Sequence, residues 1–331
     1  MGYCLHHRET LDVAMRRIAS EQLDAALQEL LVEGPGADEA IHEMRKRMKK
    51  LRALVRLLRP ELGDEVYALE NACYRDAARA LASAREAAVA VATFKGLVEG
   101  AREQIEPSAF DDIGQRLGHL HGHAVQQSHG MNRAEVIESL EAARQRVDTW
   151  PLSHKGWRTI GPGFRRTYGR GRDAFGLVRR KPTTERFHDF RKWAKYHFYQ
   201  VQILEPIWPA ALEQRRQALK DLSELLGDEH DLADLRAVLL DTPAQEGQFG
   251  ALGPLLTLLD QRREALRDRA RALAIRLYAE SPKAIDDRFH TFFRAYSAEM
   301  VPEPPPEHPS DAPPPLTRSD VRSPPPQTQP S

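Results

Sequence analysis

One pattern occurs twice, and a helix is the structure that makes sense of it. His42-Glu43-Met44-Arg45-Lys46-Arg47-Met48-Lys49 returns 146 residues later as His188-Asp189-Phe190-Arg191-Lys192-Trp193-Ala194-Lys195. Both copies read His, acid, apolar, Arg, Lys, two variable residues, Lys. At about 100° per residue, His42, Arg45, Lys46, Lys49, Arg52 and Arg56 gather on one helix face. Met44, Met48, Leu51, Leu54, Val55 and Leu58 gather on the opposite one. In the second copy His188, Arg191, Lys192 and Lys195 share a face that Tyr199 continues. Phe190, Trp193, Ala194, Val201 and Leu204 lie mainly on the other side. The chain must therefore build at least two helices with one face in a core and the other cationic.

The remainder is equally helical in pattern. Ala, Leu, Arg and Glu dominate, and period-two alternation is hard to find. The periodicity predicts helices at roughly 7–32, 37–59, 63–100 with an interruption, 109–128, 132–148, 164–180, 184–205, 209–226, 229–241, 253–280 and 283–297. Breakers mark several ends: Gly34-Pro35-Gly36, Pro60, Pro107, Gly161-Pro162-Gly163, Pro182, Pro206, Pro209 and Pro282. A second correspondence, Leu81–Glu86 with Leu226–Asp231, sits at an offset of 145. Two matches at nearly one offset argue for an internal repeat. The expected fold is all-α, with halves of about 1–150 and 151–300 packed about a pseudo-twofold axis. Residues 301–331 hold 12 of the 23 prolines and no aromatic residue, which reads as a disordered, solubilising tail.

The net charge is zero, from 48 basic and 48 acidic residues, but it is unevenly spread. Residues 41–60 carry eight Lys/Arg against one acid, and residues 154–200 carry thirteen against three. Cations at i,i+3 and i,i+4 repel by about 0.2–0.5 kcal/mol per pair. A stripe of them built twice asks for an anion from outside. Arg forks two oxygens of such an anion, Lys supplies a mobile point charge, and His42 and His188 supply hydrogen-bond donors. A third cationic run, Arg165-Arg166-Thr167-Tyr168-Gly169-Arg170-Gly171-Arg172, is placed to close a rim, with Arg166, Arg170 and Arg172 as further contacts. Cys4 and Cys73 imply no disulfide framework. Met1–Thr10 lacks the apolar core of a signal peptide, and no run of 18 apolar residues predicts a membrane span. A cytoplasmic location is expected.

These residues resemble the CHAD domain, the conserved histidine α-helical domain, over roughly residues 5–298. The family pattern is a His, Arg at +3, often Lys at +4 and a basic residue at +7, once in each half. It is carried here by His42/Arg45/Lys46/Lys49, continuing through Arg52, and by His188/Arg191/Lys192/Lys195, with Tyr199 as the aromatic at +11. Tyr168-Gly169-Arg170-Gly171-Arg172 looks like the family's stretch between the halves. Leu226-Gly227-Asp228-Glu229-His230-Asp231-Leu232 looks like its Leu-Gly-acid segment, with Arg85-Glu86 as the weaker first copy. Phe198 stands where Arg is common and Glu86 where Asp is common. The resemblance implies two antiparallel four-helix bundles, a basic central cavity between them, and binding of inorganic polyphosphate; the residues themselves suggest neither a cofactor nor catalysis. The resemblance leaves open granule targeting, storage or coupling to a polyphosphate-metabolising enzyme.

Polyphosphate carries about one charge per phosphate and no bases. With 7% aromatic residues and no interleaved stacking platform, the chain is poorly suited to reading a nucleic-acid sequence. Two rivals use the same residues. A metal-dependent helical phosphohydrolase would draw on His188-Asp189 and His230-Asp231, but the cations beside His188 repel a divalent ion. A nucleic-acid or acidic-protein scaffold would use an open basic face. His119, His121 and His123, with His129 nearby, alternate as some Zn²⁺ sites do, but no cysteine or spaced acid completes a set.

Overall fold

The computed structural model describes residues 2–81, 83–103, 106–128, 133–241 and 249–299. The 301–331 tail and His129 lie outside them. Among the described residues there is no strand. The described residues form eleven α-helices in order: α1 (Leu11–Glu29), α2 (Ala37–Leu57), α3 (Arg59–Ala80), α4 (Ser83–Gly100), α5 (Asp111–Ser128), α6 (Arg133–Arg146), α7 (Gly161–Arg180), α8 (Thr184–Leu204), α9 (Pro209–Asp241), α10 (Phe249–Leu277) and α11 (Pro282–Glu299).

Three boundaries differ from the periodicity reading. The 63–100 segment is two helices, α3 and α4, parting after Ala80. Inside α3 the backbone kinks at Gly63, whose φ of 73° is open to glycine at little cost. The break expected at Gly227-Asp228 does not occur, and α9 runs for 33 residues. A helical glycine costs about 1 kcal/mol. The apolar series Leu219, Leu222, Leu226, Leu232, Leu235 and Leu239, all buried, passes through that position unbroken and outweighs it. Gly161-Pro162-Gly163, read as a breaker, forms the first turn of α7, where proline loses nothing. A Cβ on Gly163 would stand 1.9 Å from the Leu57 carbonyl oxygen, so glycine is what lets α7 abut the end of α2.

The core divides in two. The larger one joins α1, α2, α3, α6, α7, α8, the first half of α9, the end of α10, and α11. Met44, Met48, Leu51, Leu54, Val55 and Leu58 contribute to it with no exposed surface, as the α2 pattern requires. The smaller core is formed by Phe94 of α4, Ile113 and Leu117 of α5, Leu235 of α9 and Leu259 of α10, with their neighbours. Helices from before and after residue 150 thus share both cores. An ion pair ties the larger one at its rim: Arg146 of α6 forks the fully buried Glu70 of α3 at 2.7 and 3.2 Å.

Candidate functional site

α2 and α8 cross within the larger core, each turning its apolar face inward. Gln200 of α8 fixes the crossing by donating to the Ala53 carbonyl at 3.2 Å and to Thr167 of α7 at 3.0 Å. Beside this crossing the two cationic stripes meet. Burial, then repulsion from Arg191, Arg45 and Lys195, pushes the Lys49 amine down to about 8 from its ordinary 10.5. Lys49 nonetheless keeps exposed surface, with these cations around its amine. Lys195 is lowered first by burial and then by Arg191, with Lys46 adding repulsion. Among the described residues no carboxylate lies within ion-pair distance of Lys49, Arg191 or Lys195.

The side chains around this cluster are seated individually. The Lys195 amine rests 5.1 Å over the Phe198 ring and 5.3 Å over Tyr199. Tyr199 is itself buried, beneath the lysine rather than beside it. Arg45 donates to the Ala78 carbonyl of α3. Lys46 is paired with Glu43 at 2.6 Å, and Lys192 with Asp189, so each copy of the motif bonds its +4 lysine to its own acid. His42 is half-buried, whereas His188 is exposed, with its ring 5.1 Å from His230 of α9.

Facing Arg191 across the site is one edge of α9. His230 is pushed down to about 4 by burial, then by Arg191 and His188, and is therefore neutral at pH 7. Asp231 and Asp234 are raised by burial even though Arg191 pulls both down. The approach of His188 to His230 was not legible from spacing. Among the described residues no group of three or more His, Cys, Asp or Glu could hold a metal ion. On α5, His119 and His121 fall on opposite sides of the helix, about 200° apart.

A cavity of about 200 Å³ lies past the crossing. Arg56, Arg59, Tyr67, Arg166, Thr167, Arg170 and Trp193 line it. Asn71 of α3 holds the end of the α2 stripe there, accepting from Arg56 at 2.7 Å and from Arg52 at 3.3 Å. Arg56 lies 4.1 Å over the Tyr196 ring, and Arg59 lies 4.5 Å over Tyr67. Trp193, expected in the core, is a half-buried wall of this cavity. Arg172 is not among the lining residues: about 200° from Arg170 around α7, it is exposed on another side. Arg59, Tyr67, Asn71 and Tyr196 are additions that the motif did not mark. Their signal is tertiary, since α3 folds back on α2 after the Gly63 kink.

A family model described as the CHAD domain matches residues 17–240. A similar solved structure is the crystal structure of the CHAD domain from the plant Ricinus communis. It is 17% identical with a TM-score of 0.53, and the alignment covers 88% of this chain and 94% of that one. At that identity the likeness speaks to the fold. No curated protein matches the sequence.

Proposed function

Because the chain belongs to the CHAD domain family, we propose that it binds inorganic polyphosphate and does not transform it. The observation that carries the reading is the convergence of Lys49, Arg45, Arg191 and Lys195, whose repulsion adds to burial in pushing the Lys49 amine down to about 8. Like charges brought together are unfavourable until an anion enters, so the free energy stored in their repulsion becomes binding free energy for one. Arg45, Lys46, Lys49, Arg52, Arg191, Lys192 and Lys195 are the direct contacts. His42 and His188 donate or orient, Tyr199 supports Lys195, and Arg56, Arg166 and Arg170 extend the site, with Arg172 at its margin. The exposed pairs Lys46–Glu43 and Lys192–Asp189 are worth about 0–1 kcal/mol each and exchange readily for phosphate.

A linear polyanion without bases suits this cluster better than nucleic acid, because the aromatic faces at Lys195, Arg56 and Arg59 are already covered by cations. No metal or cofactor enters the reading. The setting proposed is the cytoplasm, with polyphosphate granules or polyphosphate-metabolising enzymes as associates. Titration of the full chain with long-chain polyphosphate at two salt concentrations tests it. If all seven direct cations engage, the slope of log K against log salt is about −5, at about −0.7 per phosphate neutralised as for single strands. Arg45→Glu/Arg191→Glu should abolish binding in a folded protein, and excess duplex DNA should fail to compete. A flat salt profile, or displacement by DNA, would replace this reading with an open basic scaffold.

A further inference from the structure

The cavity past the α2–α8 crossing differs in chemistry from the lysine-rich cluster. Its cations are four arginines, Arg56, Arg59, Arg166 and Arg170, contributed by α2, α3 and α7. Arg59 has a carboxylate partner in Asp64 at 2.8 Å. Among the described residues, neither Arg166 nor Arg170 has one. The Arg56 Nε is buried and lacks a hydrogen-bond partner among the described residues. Thr167 adds a hydroxyl. These donor-bearing residues line a space of about 200 Å³. That volume equals about seven waters, and it falls below the range of about 300–1,000 Å³ usual for drug-sized ligands. Cations already lie over the rings nearby, Arg56 over Tyr196, Arg59 over Tyr67 and Lys192 over Trp193, which leaves little stacking face for a base. The ligand is therefore compact, multiply anionic and rich in acceptor oxygens.

Lys49 and Arg56 lie on one face of α2, two turns or about 10 Å apart, with Arg52 between them. A chain held at the cluster can therefore bring its end to the cavity. An interior phosphate of polyphosphate carries one charge and two free oxygens. A terminal phosphoryl group carries three free oxygens and gains a second charge above a pKa of about 6. Forked guanidiniums match several oxygens of one group, whereas lysines match single charges along a run. We infer that the arginine cavity walled by α2, α3, α7 and α8 holds the terminal phosphoryl group of a polyphosphate chain whose interior lies on the Lys49–Arg191–Lys195 cluster. This rests on the polyphosphate reading above and adds that the protein recognises chain ends.

The test compares short linear polyphosphate with the same chain capped at both ends as a phosphoramidate, using the full-length protein at pH 7.5 and pH 5. Capping removes the second terminal charge and leaves the interior unchanged. For the wild type at pH 7.5, capping should weaken binding at least about tenfold. At pH 5, where the free end is itself close to singly charged, the difference should shrink to about twofold. In Arg166→Gln/Arg170→Gln, both side chains being exposed and its fold checked by circular dichroism, capping should change affinity less than about twofold. Equal affinity for capped and uncapped chains in the wild type would overturn the inference and leave interior binding standing. Failure of the wild type to bind even long chains would overturn both. Orthophosphate as competitor separates a chain end from free phosphate. If it erased the capping effect at concentrations equal to those of chain ends, the cavity would be a free-phosphate site and the assignment would fall.

Discussion

Lys49 gives the most exacting test of the electrostatics, because its proton must follow the ligand. In the unliganded protein its amine titrates at about 8. A polyphosphate chain against it offsets the repulsion from Arg191, Arg45 and Lys195 and its own charge favours the ammonium over burial, so the pKa rises toward the ordinary 10.5. Binding then requires the charged form. Below pH 8 that form is already present, and above it each pH unit lowers affinity about tenfold until the bound-state pKa is reached. Between pH 7 and pH 9 the full effect is about tenfold. Lys49 keeps exposed surface, and screening reduces this, so about threefold is the least expected at moderate salt. Calorimetry at pH 8 in two buffers of different ionisation enthalpy should show uptake of about half a proton per chain at this lysine. Lys49→Arg, charged throughout, should flatten most of the profile. The unliganded fold moves the other way. A lysine pKa depressed by folding costs stability fully below pH 8, and the cost is relieved between 8 and 10.5. Apo stability should therefore rise over that interval, with Lys50, also lowered to about 8 by burial, acting in the same direction. No proton uptake together with a pH-independent affinity from 7 to 9 would refute the account of a repelled, enclosed ammonium.

Three further substitutions probe separate parts of the argument. Asp231→Asn removes a carboxylate that attracts Lys49 and is itself drawn by Arg191, so polyphosphate should bind more tightly, by about threefold, while urea denaturation shows a less stable apo protein. Arg146→Ala strands the fully buried Glu70 carboxylate and should cost about 3–5 kcal/mol in urea unfolding at pH 7. Gly163→Ala places a methyl 1.9 Å from the Leu57 carbonyl oxygen and should cost about 1–3 kcal/mol, whereas Gly176→Ala on the same helix, with open space at its Cβ, should be neutral or slightly stabilising.

What the sequence disclosed follows from what is local to a helix. The opposition of Met44, Met48 and Leu51 to Arg45, Lys49 and Arg52 needs only the 100° step, and the structure buries the first set and leaves the second partly accessible. The same step already separated Arg170 from Arg172, a distinction the motif obscured by treating them as one run. Partnerships between distant helices had no such signal. That α4 and α5 close a core with α9 and α10 depends on matching apolar surfaces more than a hundred residues apart. Gly227 misled because local punctuation was weighed without the leucines of the two cores that continue on either side of it.

The aromatic residues explain how a site made of repelling cations keeps its shape. Lys195 rests on Phe198 and Tyr199 and Arg56 on Tyr196, whereas Arg59 on Tyr67 and Lys192 on Trp193 also hold carboxylates, Asp64 and Asp189. Each contact offers about 0.5–1 kcal/mol or more to a cation without neutralising it. A carboxylate would hold the same side chain more firmly but would also cancel its charge. The edge of α9 applies carboxylates sparingly: Asp231 and Asp234 are raised by burial, which weakens them as competitors for Arg191. Rings below and weakened acids opposite together position the cations while leaving their charge unspent. Phe198 and Tyr199, which break the tidiness of the α8 stripe, are the seat of Lys195. Tyr199 lies buried on the face that carries Arg191 and Lys195, so the ring underlies the charge it seats.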